Sequence, residues 1–173
     1  MTNIRKKEFY AYCAGLFDGE GSIYISKVEG KKYQSEPSQL KRGNLGIYNA
    51  LVVKITNTNL ECLEFIKNRI GGNIWTYQEK RGINPKPQHT LHLRSDIGLR
   101  LLSKMIPYLI IKKEQVKLGI KFQLQMIEDR KRGGTGYKVS QEQLIWREKI
   151  RQKIKELNRA AAETNHEDSI MEK

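Results

Sequence analysis

Phe9, Tyr12, Cys13 and Leu16 recur at intervals of three and four, so the spacing predicts a first helix over residues 7–17, ended by Gly19 and Gly21. The period then drops to two. In Ser22-Ile23-Tyr24-Ile25-Ser26, Ile23 and Ile25 share one face and the three polar-tipped residues the other, which reads as a short strand. Residues 28–48 are polar and basic and read as a hairpin tip or long loop. Over 50–56 a second strand sends Leu51, Val53 and Ile55 one way and Val52, Lys54 and Thr56 the other. Thr58-Asn59-Leu60-Glu61 has the form of a capping box with Thr58 at the N-cap. It opens a second helix carrying Leu63, Ile66 and Ile70, closed by Gly71-Gly72. Strands over 74–80 and 89–94 follow, joined by a turn at 81–87. A third helix spans 96–106, capped by Ser95 and stopped by Pro107. A fourth spans 113–129 with Val116, Ile120, Leu124 and Ile127 on one stripe. After the break at Gly133-Gly134-Thr135-Gly136, Ser140-x-x-Gln143 opens a fifth helix with Leu144, Ile150, Ile154 and Leu157.

The order is α-β-β-α-β-β-α-α-α. Two ββ pairs, each preceded by a helix, predict an α+β fold with one four-stranded antiparallel sheet and helices on one face. The other face would carry Ser22, Tyr24, Ser26, Lys54, Thr56, Thr90, His92 and Arg94. Alternation alone makes this an ordinary solvated face; charge changes the picture. The 173 residues carry a formal net charge of +13. The acidic segment 160–173, expected to fray, contributes negatively and leaves about +16 on residues 1–159, read as a single domain. Such an excess seeks a polyanion, nucleic acid first and an anionic membrane second. No apolar run approaches the ~20 residues that span a bilayer, so no membrane partner is expected. The polar start of the chain reads as lacking a secretory signal. Cys13 and Cys62, in apolar surroundings, read as buried free thiols of an intracellular protein. Cysteines and histidines show no zinc spacing. Trp75 and Tyr77 alternate with Thr76 and Gln78; Trp75 is assigned to the core, and Tyr77 to neither face.

Chemistry concentrates between Tyr12 and Ser22. Ala11, Gly15 and Gly19 lie four apart on one helical face, where small residues let two helix backbones approach closely. Asp18 and Glu20 sit at the helix end, and the neighbouring glycines leave backbone carbonyls uncovered. Carboxylate and carbonyl oxygens with room for water suit Mg²⁺. The stretch from Cys13 to Gly21 resembles the nine-residue signature of the LAGLIDADG homing endonucleases. Ala14, Gly15, Leu16, Asp18 and Gly21 match letter for letter; Cys13, Phe17, Gly19 and Glu20 stand for Leu, Ile, Ala and Asp. The derived element order agrees with that family's αββαββα core over residues ~7–130, here with additional C-terminal helices.

The resemblance implies a site-specific, metal-dependent double-strand DNA endonuclease. One motif in a chain of this length implies a homodimer on a long pseudo-palindromic site, cut to leave short 3′ overhangs. Glu20 would be catalytic and, with the Gly19 carbonyl, would hold Mg²⁺ or Mn²⁺. By the match of Pro107-Tyr108-Leu109-Ile110-Ile111-Lys112-Lys113 to the family, Lys112 would be the active-site lysine, with Lys113 as the fallback; the alternative is a basic residue opening a helix. Asn57 would stand where the family holds water with Gln, or else is a turn residue. Ala11, Ala14, Gly15, Asp18 and Gly19 would form the dimer interface, Asp18 serving mainly the helix end. DNA would be contacted by Ser22, Tyr24, Ser26, Lys54, Thr90, His92 and Arg94 on the sheet and by Lys31, Lys32, Lys41 and Arg42 in the long hairpin. An intron RNA maturase and a catalytically inactive DNA-binding protein remain alternatives on this scaffold. Such enzymes are usually intron-encoded; the protein would be intracellular, in the mitochondrion or chloroplast if organelle-encoded and otherwise in cytoplasm or nucleoid.

Overall fold

The structure is a computed structural model that describes residues 5–29, 47–78, 86–133 and 139–171. Lys31, Lys32, Lys41 and Arg42, the turn residues 81–85 and Gly134 to Gly136 lie outside them. In chain order the elements are α1 (Lys6–Glu20), β1 (Gly21–Glu29), β2 (Ile47–Asn57), α2 (Leu60–Ile70), β3 (Asn73–Tyr77), β4 (Gln88–Arg94), α3 (Ser95–Met105), a 3₁₀ turn (Ile106–Tyr108), α4 (Lys113–Gly133) and α5 (Gln141–Met171). The strands form one antiparallel sheet in the order β1-β2-β4-β3. Ile23, Ile25, Leu51, Val53, Ile55, Leu91 and Leu93 are the alternating positions of the inner face, and all are buried. They pack against Phe9, Cys13 and Phe17 of α1, Leu63 and Ile66 of α2, Leu101, Leu102 and Met105 of α3, and Val116 and Phe122 of α4. Each fully buried apolar side chain contributes about 1.5–3 kcal/mol. The predicted α+β class and strand pairing therefore hold.

Four local expectations are corrected. First, α1 does not stop near Gly19 but runs to Glu20 and passes into β1 with no loop. A Cβ at Gly21 would overlap the ring and carbonyl of Phe17, so this position needs glycine for space, at an ordinary φ of −85°. Second, α2 is capped by Asn59, whose side chain accepts from the Cys62 amide at 3.2 Å, rather than by Thr58. Third, Ser95 is the first residue of α3 rather than its cap and has φ +49°, a left-handed conformation costly for serine, where β4 turns directly into helix. Fourth, Leu124 is exposed, and the buried side of α4 runs through Val116, Gly119, Phe122 and Met126. A Cβ on Gly119 would run into Ile23, so the helix makes its closest approach to the sheet through a residue without a side chain.

The capping box predicted for the last helix is present. Ser140 N donates to Gln143 Oε1 at 2.8 Å and Gln143 N to Ser140 Oγ at 3.2 Å. α5 lies along β1, the sheet's edge strand, and Asn158 Nδ2 donates to the Ile23 carbonyl at 2.9 Å. Covering an edge in this way prevents its pairing with another chain. α4 and α5 are joined by a buried ion pair, Arg147 Nη2 to Asp129 at 2.9 Å, and Gln125 and Gln143 also donate to Asp129. Cys13 is buried, Cys62 only partly, and neither is in a disulfide.

Candidate active site and nucleic-acid face

The last turn of α1 exposes carbonyls that a helix leaves unpaired. They are satisfied from far along the chain. Lys112 Nζ donates to the carbonyls of Phe17 (3.1 Å), Asp18 (2.8 Å) and Gly19 (3.4 Å). A cation there also suits the negative end of the helix dipole. Lys112 is held by Asp18, whose carboxylate accepts from the backbone amides of Ile110 (2.7 Å), Ile111 (3.2 Å) and Lys112 (2.9 Å). Burial pulls the Lys112 pKa below the ordinary lysine value, against the opposing pull of Asp18 and Glu20. The fold thus brings Asp18, Gly19, Glu20 and Lys112 to one point. Glu20 is exposed and, unlike Asp18, has no hydrogen bond assigned to its carboxylate among the described residues.

The donor set at this point fits a hard cation. Three carbonyl oxygens already hold an ammonium, and Glu20 adds a carboxylate. Among the described residues no three His, Cys, Asp or Glu side chains converge as a metal cluster. Asn57 reaches the same end of the sheet by register, since Ile55 pairs with Gly21. Its Oδ1 accepts from the Asn59 amide at 2.8 Å, which is the turn role.

One face of α1 is left uncovered among the described residues. Ala11, Gly15 and Gly19 are exposed, and a Cβ at Gly15 or Gly19 would meet nothing within 4 Å. Tyr12, Tyr108, Ile110 and Ile111 are exposed too, Ile110 by 86%. Ala14 was expected on this face but has no accessible surface and belongs to the chain's own core.

On the open side of the sheet, register aligns Ser22, Lys54, His92 and Asn73 in one row, and Thr56, Thr90 and Trp75 in another. Lys54 Nζ lies over the Tyr24 ring, 5.1 Å from its centroid. Ser26 Oγ donates to the Ala50 carbonyl at 3.2 Å. Arg94 is exposed at the far end of β4. His92 is pulled below the usual histidine pKa by burial, then by Lys54 and Arg94. Trp75 is not in the core. It is 63% exposed on this face and stacks on His92 with ring centroids 4.4 Å apart. Tyr77, of the same parity, is exposed beside it. β3 is the other edge strand, with too little above it to bury an indole; its pairing of Trp75 with Thr90 settles the face, and nothing local in the sequence encodes that pairing. No helix among the described residues is long and apolar enough to cross a membrane.

No family model matches the chain. No curated protein matches its sequence. Solved structures do match. The homing endonuclease I-CvuI, in complex with the I-CreI target, aligns over 86% of this chain and 81% of that one, with TM-score 0.61 and 19% identity. The archaeal intron-encoded homing endonuclease I-Vdi141I, complexed with DNA, aligns over 88% and 86%, with TM-score 0.61 and 18% identity. The LAGLIDADG homing endonuclease I-GzeII, in complex with its DNA target, aligns over 82% of this chain but 43% of its own, with TM-score 0.56 and 21% identity. The chain has the fold of the LAGLIDADG homing endonucleases.

Proposed function

We propose that this chain is a LAGLIDADG homing endonuclease, cutting both strands of a specific duplex as a homodimer with a divalent cation, Mg²⁺ or Mn²⁺. The observation that carries this reading is the convergence of Glu20, the Gly19 carbonyl and Lys112 beside an uncovered small-residue face of α1. Similar folds recorded with DNA support it, one of them more than twice this chain's matched length. A half-length match is what one protomer of a two-fold assembly would give.

Glu20 and the Gly19 carbonyl would hold the cation, which supplies Lewis-acid charge at the scissile phosphate and lowers the pKa of the attacking water. The chain's own residues do the rest. Asp18 fixes the 110–112 backbone, and that fixes the Lys112 ammonium within reach of phosphate charge. Gly15 and Gly19 let the α1 of a second copy approach, placing two Glu20 carboxylates near the two-fold axis. The sheet face of Ser22, Tyr24, Ser26, Lys54, Thr90, His92 and Arg94 lies along the major groove. Trp75 and Tyr77 join it, offering apolar contact to thymine methyl groups.

Selection of cleaved members from a randomised duplex library with Mg²⁺ identifies a site and tests cleavage together. On that site Glu20→Gln keeps its Kd and loses about 100- to 1000-fold or more in cleavage rate. EDTA abolishes cutting and spares binding. Equal cleavage by wild type and Glu20→Gln removes Glu20 from the mechanism. Duplex binding without any cleavage supports an inactive binding protein instead, and preference for intron RNA supports a maturase.

A further inference from the structure

We infer that α5 carries a second phosphate-binding ridge, Lys155 and Arg159, which grips the duplex backbone beside the β1 edge; this rests on the DNA reading above. The ridge is built against the sheet. A groove of about 320 Å³ is lined by Tyr24 and Ile25 of β1 and by Arg151, Lys155, Asn158 and Arg159 of α5. Tyr24 belongs to the open face and carries the Lys54 ammonium over its ring, so the groove continues the cationic row of the sheet. The Asn158 hydrogen bond to the Ile23 carbonyl fixes the rotation of α5 about its axis, and Ile150 and Ile154 bury the neighbouring stripe. At 100° per residue, Arg151, Lys155 and Arg159 then fall on the flank turned to Tyr24, and Lys149 and Lys153 on the opposite flank.

The cations of the ridge are not equivalent. Arg151 is spent within the helix. It donates to Glu148 at 2.7 and 2.9 Å, and this, with the bond from Gln152, holds the Glu148 carboxyl down to about 2. Lys155 and Arg159 are exposed, and no carboxylate among the described residues pairs with either. They are one turn apart on a rigid helix. Cations so placed suit successive phosphates.

The test uses the full chain, a fluorescein-labelled random 30-bp duplex and EDTA, with anisotropy read across KCl concentrations. Lys155→Gln/Arg159→Gln lowers the slope of log Kd against log[KCl] by about two per bound protomer. Lys149→Gln/Lys153→Gln removes the same charge from the other flank and lowers it by less than half as much. All four side chains are solvent-exposed, and circular dichroism confirms that both doubles fold. An unchanged slope in the first double, equal changes in both, or a loss confined to a 30-nucleotide single-stranded RNA overturns the ridge alone. A wild type that binds no duplex overturns the DNA reading with it.

Discussion

Both oxygens of Asp18 are taken up by three backbone amides, and this sets its role apart from that of Glu20 two residues later. A carboxylate so engaged is a poor metal ligand and a strong clamp. Asp18→Ala lowers stability by roughly 2–3 kcal/mol, visible as a fall in Tm, because charge-assisted bonds are lost and the amides are left unpaired. Glu20→Gln leaves Tm unchanged, since the exposed Glu20 makes no assigned hydrogen bond among the described residues. Lys112→Met uncaps α1 and costs about 1 kcal/mol, together with a loss of cleavage larger than that instability explains. The signature stretch made Asp18 and Glu20 visible as a pair in the sequence, but their division of labour depends on a loop more than ninety positions away, which no local pattern encodes. The same distance hid the reason α1 continues past Gly19. Its C-terminal cap is an ammonium from the start of another helix rather than a left-handed glycine.

At the scale of elements, periodicity located the strands and helices because the sheet's inner face alternates strictly from Ile23 to Leu93. It failed where contact is made by something other than an apolar side chain. Gly119 forms the centre of the buried stripe of α4, and the environment of Trp75 is set by strand pairing. Gly119→Val should therefore be costly. Forced against Ile23 and Leu51, it destabilises by about 1–3 kcal/mol in chemical denaturation. The joint between α4 and α5 makes stability depend on pH. Burial alone would raise the Asp129 pKa, but hydrogen bonds from Gln125, Arg147 and Gln143 and the Arg147 charge outweigh it and hold the carboxyl below the ordinary range. Unfolded, it titrates near about 3.9. Its contribution is complete above that pH and is lost as pH falls through the lower folded value. Asp129→Asn leaves a buried guanidinium without its countercharge and costs about 3–5 kcal/mol at pH 7. Thermal melts of the two proteins should converge as pH falls below about 4.

For the whole molecule, the proposed function rests on three features: an excess of positive charge, a helix face left uncovered among the described residues, and the carboxylate and carbonyl oxygens at the end of α1. They would serve a polyanion, a second copy and a metal. Gly15→Leu, at a position where an added Cβ meets nothing within 4 Å among the described residues, gives folded monomers by sedimentation and abolishes double-strand cutting. An intact Gly15→Leu dimer would show that α1 is not the contact. The central claim is that two Glu20 carboxylates meet beneath bound duplex and share cations there. The most direct measurement is a crystal structure of the protein with its selected duplex and Ca²⁺, which supports binding while slowing hydrolysis. The account predicts anomalous density about 2.4 Å from a Glu20 oxygen and the Gly19 carbonyl, beside a scissile phosphate at the two-fold axis. A complex in which Glu20 faces bulk water, far from that of the partner protomer, would contradict it.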